Sequence, residues 1–165
     1  MKTTGIVAFA FGTPSTIWSN MQIANIASRK AQELGIPVYT QRDVPVPIKE
    51  GVETIRIEEK FGKPPSTLRI ARAAVQWAIE CGFTTLLVMA AKPHLPRALR
   101  DIEQTIQESG IVLKVYACEE INRFSENSWF CIDSPQWQVR TREAWEIREK
   151  ILNLLPFSIY KYITK

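Results

Sequence analysis

Six consecutive apolar residues, Ile6-Val7-Ala8-Phe9-Ala10-Phe11, stand between Gly5 and Gly12 with no polar side chain among them. A strand that shows one face to water alternates apolar and polar residues. A run without alternation, rich in branched and aromatic side chains, has to be covered on both faces, as in the interior of a parallel sheet. Parallel strands need a crossover rather than a hairpin, so a helix should follow. Ser19 or Asn20 can cap one, Ile23, Ala24, Ile26, Ala27, Ala31 and Leu34 form its apolar stripe, and Gly35 and Pro37 stop it.

The same alternation continues along the chain. Val38–Gln41 reads as a second strand, and Val44-Pro45-Val46-Pro47 as extended, because each proline biases its predecessor away from the helical region. Thr54–Glu59 reads as a short strand, with a helix over Ile48–Phe61 as the alternative. After the loop Gly62-Lys63-Pro64-Pro65, Ser66 caps an amphipathic helix that buries Ile70, Ala71, Ala74, Val75, Ala78 and Ile79 and ends at Gly82. Thr84–Ala90 is a further buried strand. Pro96 opens a helix running to about Ser109, with Gly110 at C′, and Val112–Ala117 is the last strand.

Between Cys118 and Val139 a long loop is expected, pinned by Trp129, Phe130 and Trp137. Thr141–Leu154 reads as a final helix ended by Pro156, and the tail carrying Tyr160 and Tyr162 either packs back on the body or joins a subunit contact. The expected fold is an α/β, Rossmann-like three-layer sandwich with a mostly parallel sheet. It forms a single domain over residues 1–165, with the C-terminal helix and tail 139–165 packed on it. Such sheets bind ligands beyond the carboxyl ends of their strands, at the point where strand order reverses.

Composition removes several classes of function. With 165 residues and 45% apolar content, one core suffices without disulfides or a metal. Cys81, Cys118 and Cys131 are odd in number and lack Cys-x-x-Cys spacing, which points to a reducing, cytoplasmic compartment and away from a thiolate metal site. No apolar run approaches the roughly 20 residues of a membrane span, and Phe11-Gly12-Thr13-Pro14 lacks a small-x-small cleavage site. The net charge of +4 is scattered and interleaved with acids, which argues against nucleic acid while leaving room for a small anionic ligand.

Three loops carry candidate chemistry. Lys92-Pro93-His94-Leu95-Pro96-Arg97 joins a strand end to a helix start, where unpaired backbone amides, Lys92 and Arg97 can cradle a phosphate or carboxylate. His94, the sole histidine, is there the candidate acid/base; helix capping beside two solvated cations is the alternative reading. Ser66 and Thr67 open the other strong helix, where capping alone explains Ser66. Gly12 and Thr13 follow the first strand, where a glycine admits close backbone approach. Neither a dinucleotide fingerprint nor a Walker loop is present, so no motif names a cofactor. Asp43, Glu58, Glu59 and Asp101 are dispersed candidates for a hard cation.

Ser66-Thr67 at a helix start, the strand Leu86-Leu87-Val88-Met89 and the element His94-Leu95-Pro96-Arg97-Ala98 together resemble the YdcF-like family over Pro64–Arg100. The resemblance implies a Rossmann-like domain with a polar cleft to which Gly12, Ser66, Thr67, His94 and Arg97 contribute. It also implies a small, nucleotide-derived or phosphorylated ligand, S-adenosylmethionine among them, and a soluble bacterial protein. The chain departs from the family at Thr40-Gln41-Arg42-Asp43, where a Ser-Gly-Gly is usual. Three functions are thus in view. One is a binder of a small anionic metabolite, with His94 available for acid/base catalysis. Another is a non-catalytic interaction protein with a vestigial cleft, whose Trp129–Trp137 segment and Tyr160/Tyr162 tail make a homo-oligomer contact. A chelatase-like protein, suggested by Ile6–Pro14 and the helix after it, is the weakest, since no histidine follows that strand.

Overall fold

The computed structural model describes residues 3–47, 51–60 and 63–164. Five strands, β1 (Thr4–Ala8), β2 (Val38–Thr40), β3 (Thr54–Arg56), β4 (Thr85–Met89) and β5 (Lys114–Ala117), form one sheet in the order β3-β2-β1-β4-β5. Every pairing is parallel. Helices α1 (Trp18–Leu34), α2 (Thr67–Cys81) and α3 (Leu95–Ser109) link strands, and α4 (Arg142–Leu154) and α5 (Phe157–Ile163) end the chain. The α/β, Rossmann-like three-layer fold is as the alternation of apolar runs and helical stripes implies. Thr54–Arg56 is a strand, while Ile48 and Phe61, the ends of the alternative helix, and Gly62 of the following loop lie outside the described residues.

Successive strand residues point to opposite faces and so build two cores. Ile6 and Ala8, with Val38 and Met89, pack against Ile23, Ala24, Ala27 and Ala31 of α1. Val7, with Tyr39, Leu86 and Val88, packs against Ile70, Ala74 and Ala78 of α2 and Ala98 and Ile102 of α3. Each fully buried Ile, Val or Leu contributes about 1.5–3 kcal/mol relative to exposure, so both faces of β1 stabilise the fold. α1, α2 and α3 end on Gly35, Gly82 and Gly110, each left-handed, as their sequences imply.

The segment after β5 folds into short 3₁₀ turns at Glu119–Arg123, Glu126–Trp129 and Trp137–Val139. Trp129 is fully buried, its ring 5.4 Å from Trp18 and 5.5 Å from Phe124. Trp137, by contrast, is exposed. The tail packs back on the body: Tyr160 is buried, and its hydroxyl donates to Asp101 Oδ2 at 2.6 Å beneath the Arg100 guanidinium. Burial and the Asp101 carboxylate push the Tyr160 phenol up to about 12, so it remains a donor. Asp101 is thereby a structural acceptor. Among the described residues no group of three or more His, Cys, Asp and Glu is arranged to hold a metal ion, and no helix is long and apolar enough to cross a membrane.

Several expectations change. Leu34 and Ile79, read as part of the apolar stripes of α1 and α2, are exposed at the C-terminal ends of those helices. The N-cap of α1 is Ile17, which makes no side-chain cap bond, and Ser19 and Asn20 lie buried inside the helix. Asn20 is diverted to the loop after β1. Its Oδ1 accepts from the Phe11 amide at 2.8 Å, and its Nδ2 donates to the carbonyls of Gly12 at 2.9 Å and Pro14 at 3.1 Å. Asn20→Ala would leave those groups without their partners, and since each buried orphan costs about 1–3 kcal/mol, urea denaturation should show a loss of at least about 2 kcal/mol. A loss below about 0.5 kcal/mol, the range of neutral surface changes, would contradict this role for Asn20.

Candidate functional site

The chain runs outward from β1 through β2 to β3, then returns to lay β4 on the other side of β1. The loops leaving β1 and β4 therefore part company at the carboxyl end of the sheet, and a crevice opens between them. A cavity of about 230 Å³ occupies that place. Its walls come from Ala10–Gly12 after β1, Gln41 after β2, Pro64–Thr67 at the start of α2 and His94 and Arg97 at the start of α3. The far wall is Gln136, Gln138 and Val139 with Trp145 and Arg148 of α4.

Gly12, Ser66, Thr67, His94 and Arg97 thus share one cavity, although they are up to 85 positions apart in sequence. Gly12 is there for a steric reason: its φ is +91°, and an added Cβ would stand 2.5 Å from Val139 Cγ2. Thr13 faces the neighbouring depression, with Arg42 and Asp43, and its carbonyl accepts from Ser134 Oγ at 2.7 Å. Lys92 is not among the residues that line either hollow.

Three of the lining side chains form a chain of hydrogen bonds. Arg97 Nη1 donates to Thr67 Oγ1 at 2.8 Å, and Thr67 Oγ1 lies 3.0 Å from His94 Nε2. A guanidinium only donates, so the Thr67 oxygen accepts from Arg97, while the tautomer of His94 decides which of Thr67 Oγ1 and His94 Nε2 donates to the other. His94 is walled in by Phe9, Phe11 and Trp145, with ring centroids at 6.0, 6.3 and 5.6 Å. Burial first, then the Arg97 and Arg148 cations, hold it well below the ordinary imidazole range, with the Ala10 backbone acting weakly the other way. It is neutral at pH 7.

The formal charges that line the cavity are positive, those of Arg97 and Arg148. Ser66 Oγ accepts from the Arg69 amide at 3.1 Å, so Ser66 is the cap that its sequence position implies. The amides of Thr67 and Leu68 lie in the first turn of α2, which has no preceding helical carbonyls to receive them, and the positive end of the helix dipole adds to them. Arg97 is nine-tenths buried, and its Nε lies 3.0 Å from Glu149 Oε1 but off the angle that a hydrogen bond needs. Arg148 Nη1 reaches the same Glu149 oxygen at 3.1 Å. Both guanidinium groups lie over the Trp145 ring, 5.3 and 5.5 Å from its centroid. Burial and the nearby Arg97 lower Arg148 below the usual arginine value, a sign of two cations crowded together with one counter-ion. No carboxylate lines the cavity itself.

Trp145 and Arg148 were not legible as site residues in the sequence, and Gln41 was legible only by its place at the end of the second strand. Gln41 sits where the chain departs from Ser-Gly-Gly. Its Oε1 accepts from the Ala10 amide at 3.0 Å, a role that no spacing announces. Arg148 lies in a helix whose alternating acids and bases resemble a solvated face, and only the docking of Trp145, whose Nε1 donates to the Pro93 carbonyl at 3.0 Å, turns it inward.

The neutral, buried state of His94 has a consequence for stability. Below about pH 6.5 the unfolded chain binds a proton at this residue that the folded chain does not, so stability is fully present above that pH and falls as pH drops. The slope approaches about 1.4 kcal/mol per pH unit for one proton. Between pH 6.5 and 5, denaturation of the wild type should show that proton uptake, and His94→Gln, which keeps a polar atom near Nε2, should remove it. An unchanged slope in the variant would contradict the assignment.

No protein-family model and no curated protein matches this chain; what the site can do follows from its own residues.

Proposed function

We propose that this chain binds a small oxyanion, phosphoryl or carboxylate, in the cavity at the carboxyl end of β1 and β4. One observation carries the proposal: two guanidinium groups and the start of a 15-residue helix face a hollow that no carboxylate lines. A bound anion would relieve the crowding of Arg97 and Arg148 and satisfy the first amides of α2. The cavity is below the roughly 300–1,000 Å³ of sites that enclose drug-sized ligands, which favours one charged group over a whole nucleotide.

His94 acts from the neutral side in this reading. Through the Thr67 hydroxyl it can take up a proton, and it has none to spare beyond its own N–H at pH 7. The meeting of Gly12, Ser66, Thr67, His94 and Arg97 at one hollow supports a YdcF-like relationship, and the three free thiols suit the reducing, cytoplasmic location proposed with it. The interaction-protein reading keeps Trp137 and Tyr162, which are exposed. Trp129 and Tyr160 are buried inside the fold, whereas Ile147, Ile151 and Leu154 are exposed at helical spacing along α4.

Calorimetric titration with inorganic phosphate, sulfate and acetate tests the proposal. At least one should bind, and Arg148→Ala should weaken that binding about 10- to 100-fold, the loss expected for one charge-assisted hydrogen bond. Folded protein that binds none of them at millimolar concentration would overturn the anion reading. A concentration-dependent dimer in sedimentation, abolished by Ile151→Glu, would then favour the second.

A further inference from the structure

A second hollow, of about 420 Å³, adjoins the first. The two share Pro64 and Gln136, and consecutive residues pass from one to the other: Gly12 lines the first and Thr13 the second, as do Gln41 and Arg42. Their chemistry differs. Among charged side chains the first has cations alone, whereas the second has both signs, Asp43 and Glu59 with Arg42, Lys60 and Lys63.

A wall of mixed donors and acceptors suits a group that both donates and accepts at every position, which is the property of a polyhydroxylated carbon skeleton. A carboxylate can take the protons of two neighbouring hydroxyls, and lysine and arginine donate to their oxygens. The Glu59 carboxylate is already oriented, since its Oε1 accepts from the Arg42 amide at 2.6 Å. Partial burial and the nearby Glu59 raise Asp43 above the usual carboxylate range, consistent with two acids confronting one space. The first hollow alone is small for a metabolite, and with the second the site reaches the size usual for ligands.

We infer that the ligand is a sugar phosphate: its phosphoryl group lies between Arg97, Arg148 and the start of α2, and its hydroxyl-bearing skeleton lies along Asp43, Glu59 and Arg42. This inference rests on the anion reading above and adds the identity of the group beyond the anion.

Calorimetry on the full chain with inorganic phosphate, ribose 5-phosphate, glucose 6-phosphate, AMP and free glucose separates the two. At least one of the two sugar phosphates should bind about tenfold or more tightly than inorganic phosphate, as expected for an added hydrogen bond to a charged group. It should also exceed AMP, and free glucose should not bind measurably. Asp43→Asn and Glu59→Gln, the latter keeping an acceptor for the Arg42 amide, should each reduce the advantage over inorganic phosphate while leaving the affinity for inorganic phosphate itself unchanged. Equal affinities for inorganic phosphate and both sugar phosphates, an advantage untouched by both variants, or tighter binding of AMP would overturn the sugar-phosphate inference and leave the anion site standing. Absence of binding by every phosphate would overturn the anion reading, and this inference with it.

Discussion

A buried amide or carbonyl left without a partner costs about 1–3 kcal/mol, and in this fold the cost threatens most where β1 stops pairing but remains inside the protein. Phe9, Ala10 and Phe11 are all buried beyond the end of that strand. The Phe9 amide still finds the Met89 carbonyl, whereas those of Ala10 and Phe11 are met by the side-chain amides of Gln41 and Asn20. Two side chains thus take over from the sheet. By holding the β1 loop in place they fix the left-handed turn at Gly12, and with it one wall of the cavity.

The opposite walls follow the same rule of pairing every buried polar group. Thr67, at the start of α2, joins Arg97 of α3 and His94 just before it, so that the two helices on one face of the sheet are aligned at their N-termini by hydrogen bonds as well as by apolar contact. α4 is then drawn over them by Trp145, by the Glu149 carboxylate between two arginines, and by Tyr160 of α5 on Asp101. What this leaves is an excess of positive charge around a hollow. Charge of one sign kept in a confined, partly dry space is costly to maintain, and an anionic ligand of the kind proposed would offset it.

The sequence carried the architecture because parallel strands and helix ends have local causes. The unalternating run Ile6–Phe11 required two covered faces, and Gly35, Gly82 and Gly110 closed their helices as only residues at ease with positive φ do. Ser66 was legible as a cap for the same local reason. The site was only partly legible. His94 and Arg97 adjoin a strand end and a helix start, so they could be placed, but Lys92 in the same loop turns out to line neither hollow. Asn20 read as a cap, and its real duty is to a loop eight residues earlier, which becomes visible only when the loop is folded. Gln41 and Arg148 reach the cavity through contacts made by distant segments, and no spacing in the chain encodes those.

Arg97, Arg148 and the first turn of α2 are proposed to surround a place for an oxyanion. Diffraction from a crystal soaked in tungstate, a heavy tetrahedral anion in place of phosphate, tests it most directly. An anomalous peak is expected within hydrogen-bond distance of the Thr67 or Leu68 amide and of at least one of the two guanidinium groups. A soaked crystal with tungstate bound only elsewhere, or with this hollow empty while both arginines keep their positions, would contradict it.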